Sequence, residues 1–103
     1  MITRTAIFEG NIKKGFEDTF YAHVENELLP LWKQFPHASN VRYFKVTESD
    51  NEEREIVLIQ QIDYPSKDHL EEALNSEIRT KARSKTLELN AIFDGWFYHL
   101  ISS

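Results

Sequence analysis

Four apolar residues in succession, Ile56-Val57-Leu58-Ile59, sit inside a strand-like stretch running from Glu55 to Asp63. Side chains alternate across a strand, so an unbroken apolar run asks for cover on both faces of its sheet. Helices packed on one side leave the other side in water, and a chain of 103 residues has room for a single domain only. The second face therefore wants a partner surface. The aromatic content points the same way. Seven Phe, four Tyr and two Trp crowd the chain. Each has roughly 150–250 Å² to bury, in a domain that hides only about 60–70% of its unfolded surface.

The hydrophobic period changes along the chain and sets the order of elements. Ile2–Glu9 alternates and is rich in β-branched residues, which predicts a strand that Gly10 and Asn11 end. From Phe16 to Phe35 the apolar positions recur every three or four residues (Phe16, Phe20, Val24, Leu28, Leu31, Trp32, Phe35), the stripe of a helix. Glu17 and Asp18 suit its first turn, Pro30 predicts a kink or break, and Pro36 ends it. Val41–Thr47 and Glu55–Asp63 read as strands joined by the polar segment Glu48–Arg54. Ser66 caps a second helical run, interrupted at Asn75-Ser76 and reaching about Asn90. Phe93-Asp94-Gly95 reads as a turn into a last strand, Trp96–Ile101. The order β-α-β-β-α-β predicts one α+β domain over residues 1–103, a ferredoxin-like four-stranded antiparallel sheet backed by helices.

Several function classes fall on composition. Zero Cys removes thiolate nucleophiles, disulfides and cysteine-held metals, which fits a cytoplasmic setting. No apolar run approaches the roughly 18 residues of a membrane span, and Met1-Ile2-Thr3-Arg4 opens no secretory signal. A net charge of −5 with dispersed Lys and Arg argues against nucleic acid as a partner. Gly10, Gly15 and Gly95 are isolated, so no phosphate-cradling loop marks a nucleotide site. No third ligand joins His23 and Glu27 to make a metal site, and neither cofactor nor metal is expected.

The candidate chemistry lies in the last strand. An imidazole ordinarily titrates near neutral pH and a tyrosine can donate a hydrogen bond, so His99 and Tyr98 are expected as base and donor for a small phenolic or quinone-like substrate. Adjacent in a strand, the two point to opposite faces, with Phe97 beside His99 and Trp96 beside Tyr98. A histidine bonded to a backbone or cross-strand partner for structure alone is the more common explanation of His99. Trp32 completes the first helix stripe with an indole N–H in search of an acceptor, and His37 stands in the turn that follows. Gln60 and Gln61 interrupt an apolar strand, one toward each face, to meet a ligand or to bridge strands at an interface.

Two strings resemble the dimeric α/β-barrel superfamily, which includes antibiotic-biosynthesis-type monooxygenases, EthD-like proteins and stress-responsive barrel proteins. Glu27-Leu28-Leu29-Pro30-Leu31-Trp32 with Phe35-Pro36 is similar to the end of that family's first helix. Tyr64-Pro65-Ser66 and Phe93-Asp94-Gly95-Trp96-Phe97-Tyr98-His99 are similar to its second-helix entry and final strand. The resemblance implies a homodimer in which two sheets face each other and enclose a barrel. It also implies a small apolar or aromatic ligand between helices and sheet. A cofactor-independent monooxygenase of the antibiotic-biosynthesis type and a non-catalytic structural or accessory dimer are the alternatives. Leu28 stands where EthD-like members carry a histidine, and Arg79–Lys85 lacks the histidine by which haem-degrading relatives hold iron.

Overall fold

A computed structural model describes residues 1–103. The elements are β1 (Ile2–Ile12), α1 (Glu17–His23), a π turn (Val24–Leu28), α2 (Leu29–Trp32), β2 (Ser39–Lys45), β3 (Ile56–Tyr64), α3 (Lys67–Leu74), α4 (Glu77–Leu87), a 3₁₀ turn (Glu88–Ala91) and β4 (Phe93–Ser102). The strands form one antiparallel sheet in the order β2-β3-β1-β4. Strand β3 lies between β1 and β2, the split β-α-β arrangement of the ferredoxin-like fold. No helix is long and apolar enough to cross a membrane.

Register decides which side chains meet the helices. Pairing aligns Leu58, Phe8 and Phe97 in one row across the sheet, Gln60, Ala6 and His99 in the next, and Ile62, Arg4 and Ile101 in a third. Ala6, Phe8, Leu58 and Ile62 share the buried core with Phe20, Val24, Leu28 and Trp32 of the first helical arm, so these rows face the helices. Phe20 is wholly buried and lies edge-on to Phe8, with ring centroids 6.4 Å apart, and against Phe93 at 5.4 Å. Phe97 packs edge-on to Phe8 at 4.8 Å. The alternate residues, among them Phe44, Ile59, Trp96, Tyr98 and Leu100, point to the other face, which carries no helix; there Trp96 is 60% exposed and Phe44 52%.

Two local expectations change. Gly10 does not end the first strand, which continues to Ile12 opposite Phe93. Gly10 pairs with Gly95, and a Cβ on Gly10 would fall 2.5 Å from the Gly95 Cα. The paired glycines let two neighbouring strands approach at a separation that side chains forbid, and Gly10 holds φ +147° there. By the same pairing, Phe93-Asp94-Gly95 belongs to β4 and is not a turn. The expected irregularity at Pro30 takes the form of a π segment, Val24–Leu28, that interrupts the first helix just before the proline. Its missing N–H and its ring are absorbed by the π turn just before it, and the helix resumes through Trp32. The interruption at Asn75-Ser76 is present, and each helix after it has its serine cap. The Ser66 hydroxyl accepts from the His69 N–H at 3.4 Å, and that of Ser76 from the Arg79 N–H at 3.3 Å.

Candidate functional site

One row of the sheet is thin at its centre. Gln60 and His99 flank Ala6, whose methyl group leaves a gap between two long polar side chains. Above the gap, α4 presents another small residue, Ala82, and the end of the first helical arm lays down Trp32 and Phe35. The outcome is a cleft of about 350 Å³ between sheet and helices. Its floor and sides are apolar through Phe8, Trp32, Phe35 and Phe97. Its polar groups are Gln60, His99 and three arginines, Arg4 from β1 with Arg79 and Arg83 one turn apart on α4.

Gln60 is the telling side chain. It is 6% exposed, lines the cleft and makes no side-chain hydrogen bond within the protein, its amide atoms being open to the cleft. Its neighbour Gln61 points to the opposite face and is bonded on both sides. There it accepts from Arg42 Nε at 3.1 Å and donates to the Thr5 hydroxyl at 3.2 Å.

His99 sits at the edge of the cleft. Burial against its wall, with the Arg4 and Arg79 guanidiniums adding their charge, lowers the imidazole from 6.5 to about 4. Taken as a whole the residue still meets solvent at the outer strand, so the operative result is the direction: a neutral imidazole at pH 7. Such a ring can accept a proton. Arg4 is half-buried, and its pKa is lowered by desolvation and by the like charge of Arg79. Tyr64 is buried with no partner for its hydroxyl, and burial pushes it up to about 12 against the pull of Arg4; it lies outside the cleft walls.

The residues singled out from the sequence fall into three places. Trp32, Gln60 and His99 come together in the cleft. Tyr98, Trp96 and Gln61 lie on the bare face of the sheet, where Tyr98 pairs across from Ile7 and Trp96 from Glu9. His37 lies at the surface in the turn after α2, with φ 63°; its Nε2 is 2.5 Å from a Glu72 carboxylate oxygen and its ring stacks edge-on against His69. His23 is bonded to the Lys85 carbonyl at 2.7 Å. No group of three or more His, Asp or Glu side chains is placed to hold a metal ion.

The arginines are what the sequence reading passed over. Read along the chain they are dispersed; in the fold three of them converge. Two signals were present. Arg4 has the parity of Ala6 and Phe8, and Arg79 and Arg83 flank Ala82 of the buried helix stripe at helical spacing.

No protein-family model matches the chain, and no curated protein does. Solved structures do. An ethyl tert-butyl ether D (EthD) family protein from Bacillus halodurans C-125 superposes with a TM-score of 0.79 at 13% identity, over 100% of this chain and 98% of that one. An antibiotic biosynthesis monooxygenase gives 0.66 at 14% identity, over 100% and 97%. A dimeric ferredoxin-like protein of unknown function from Thermobifida fusca YX gives 0.66 at 10% identity, over 99% and 89%. Identities this low speak for architecture alone. The chain has a ferredoxin-like α+β fold, the architecture it shares with these EthD-family, antibiotic-biosynthesis-monooxygenase and ferredoxin-like structures.

Proposed function

We propose that this protein binds a small aromatic molecule in the cleft between sheet and helices, and that it does so as a homodimer closed across the bare face of the sheet. The observation that carries the first half is Gln60: an amide 6% exposed, without a partner, on the wall of an aromatic cleft of about 350 Å³. The amide is open to the cleft and not sealed in the core, so a ligand's polar group can bond it. The volume falls at the lower end of the roughly 300–1,000 Å³ typical of small-molecule sites.

A thermal-shift panel of phenols, quinones and aromatic acids tests it. A ligand at a hundred times its Kd adds about 2.7 kcal/mol to the stability of the folded state, and the shift should vanish in Ala6→Phe, which fills the gap in the row. A panel with no shift at millimolar concentration would leave the structural or accessory dimer as the better account.

The second half rests on the exposed Phe44, Trp96 and Leu100 of the uncovered face and on the dimeric description of the Thermobifida neighbour. Its measure is mass in solution: twice 12.2 kDa supports it, and 12.2 kDa at micromolar concentration refutes it.

One observation favours a catalytic version, a cofactor-independent monooxygenase. His99 is a neutral base beside two guanidiniums, the pairing needed to take a proton from an acidic phenol or hydroquinone and hold the resulting oxyanion. Oxygen uptake with hydroquinones should then fall by about 10²–10⁴-fold in His99→Gln; equal rates in variant and parent would remove His99 as the base.

A further inference from the structure

The chain has five arginines, and they divide sharply by partner. On the bare face and its rim, Arg42 meets Asp63 at 3.3 Å and Arg54 meets Glu9 at 3.5 Å. Arg4, Arg79 and Arg83, the three that line the cleft, form no salt bridge. Although the chain carries 17 Asp and Glu, none of them lines the cleft. The charges acting on Arg4 include the guanidinium of Arg79 and no carboxylate.

We propose that the ligand of this cleft is an aromatic acid, a planar apolar body carrying a compact oxyanion of the carboxylate class that docks between Arg4 and Arg79. The inference rests on the binding reading above and adds the charge of the ligand. Half-buried guanidiniums that line one cleft and act on each other without a counter-ion raise the free energy of the empty site, and an anion bound to them lowers it. A guanidinium fork matches a carboxylate with two parallel hydrogen bonds, where a lysine offers a point charge. Trp32, Phe35 and Phe97 supply flat walls for the ring, and the unpartnered Gln60 amide offers a donor or acceptor beside it. Arg83, more exposed at the mouth, draws anions inward across a surface that is acidic overall.

The test is calorimetric titration of the full chain with two isosteres, 2-naphthoate and 2-naphthamide, at pH 7 and low salt. The expected result is a carboxylate bound at least about tenfold tighter than the amide, as charge-assisted hydrogen bonds imply. Added sodium chloride should weaken the naphthoate and leave the amide nearly unmoved. In Arg79→Gln, a substitution at a half-buried residue of the cleft wall, the preference should drop by about tenfold, and in Arg4→Gln, Arg79→Gln together it should disappear. Circular dichroism checks that each variant is folded; if the double variant is not, Arg79→Gln alone decides. Equal affinity for the two probes, or a preference that survives Arg79→Gln, overturns the aromatic-acid assignment while leaving a small-molecule site in place. Failure of both probes to bind the parent overturns the binding reading as well.

Discussion

The two faces of one sheet treat polar side chains in opposite ways. On the bare face they answer one another. Asp63 accepts from the Thr3 hydroxyl at 2.7 Å and from the Asn40 amide at 3.0 Å, Arg42 closes on it at 3.3 Å, and Gln61 ties Arg42 to Thr5. On the face toward the helices, Gln60 and the guanidiniums of Arg4 and Arg79 have no partner. A polar network satisfied within the chain can be covered by an apolar surface at little cost, whereas an unsatisfied one asks for a visitor with complementary groups. The bare face is thus suited to permanent burial against a second copy, and the cleft to exchange.

Four substitutions break or sharpen this contrast. The largest effect is expected from Phe8→Ala on the helix side, where the ring is 3% exposed and meets both Phe20 and Phe97. A loss of about 3–5 kcal/mol should follow in chemical denaturation, independent of protein concentration. Trp96→Glu on the bare face should act on assembly and hardly on the fold, raising the dimer dissociation constant by about 30-fold, a cost of about 2 kcal/mol typical of an interface anchor. Sedimentation would read it; an unchanged mass distribution would mean the faces are not divided in this way.

Asp63→Asn should cost about 1–3 kcal/mol and also alter the response to acid. Bonding from the Thr3 hydroxyl, with Asn40 and Arg42, holds this carboxyl below the ordinary value of 3.8. Its stabilisation is present above that value and lost as pH falls through the depressed folded value, so the variant should flatten the acid limb below pH 3.8. The smallest effect belongs to His99→Gln. With a folded value of about 4 against 6.5, the unfolded chain takes up the proton first, and stability declines as pH falls from 6.5 toward 4. The variant should lose part of that slope in urea midpoints measured at pH 7, 5.5 and 4. An identical slope would mean that the imidazole is as free in the folded state as in the unfolded.

What the sequence made legible was whatever has a period. The alternation of β4 separated Phe97 and His99 from Trp96 and Tyr98, and the three-four spacing drew the stripe from Phe20 to Phe35. Which set would meet the helices was beyond it, because parity fixes a relative face and not an absolute one. Non-local matches were equally hidden. Gly10 reads as a stop because a glycine within a strand weakens it, and only its partner Gly95 turns it into a point of close backbone approach. Arg4 of β1 and Arg79 of α4 line one cleft, a fact of tertiary structure that no window along the chain contains. The cleft itself depends on a small side chain, Ala6, between two long ones on different strands.

The π turn before Pro30 has a consequence for helical phase. Phe20, Val24, Leu28 and Trp32 are spaced by four, and at about 100° per residue such a series drifts some 40° around an α-helix with every step. A turn that holds an extra residue advances less per residue and brings the series back into line, which keeps Trp32 over the cleft. Pro30→Ala removes the ring that the turn accommodates, and the same residues wound as a regular α-helix would carry the later ones round by about 100°. That chain would gain helix propensity and lose the tryptophan wall of its cleft. The proline and the slack turn behave as a vernier, trading local regularity for the azimuth of one side chain.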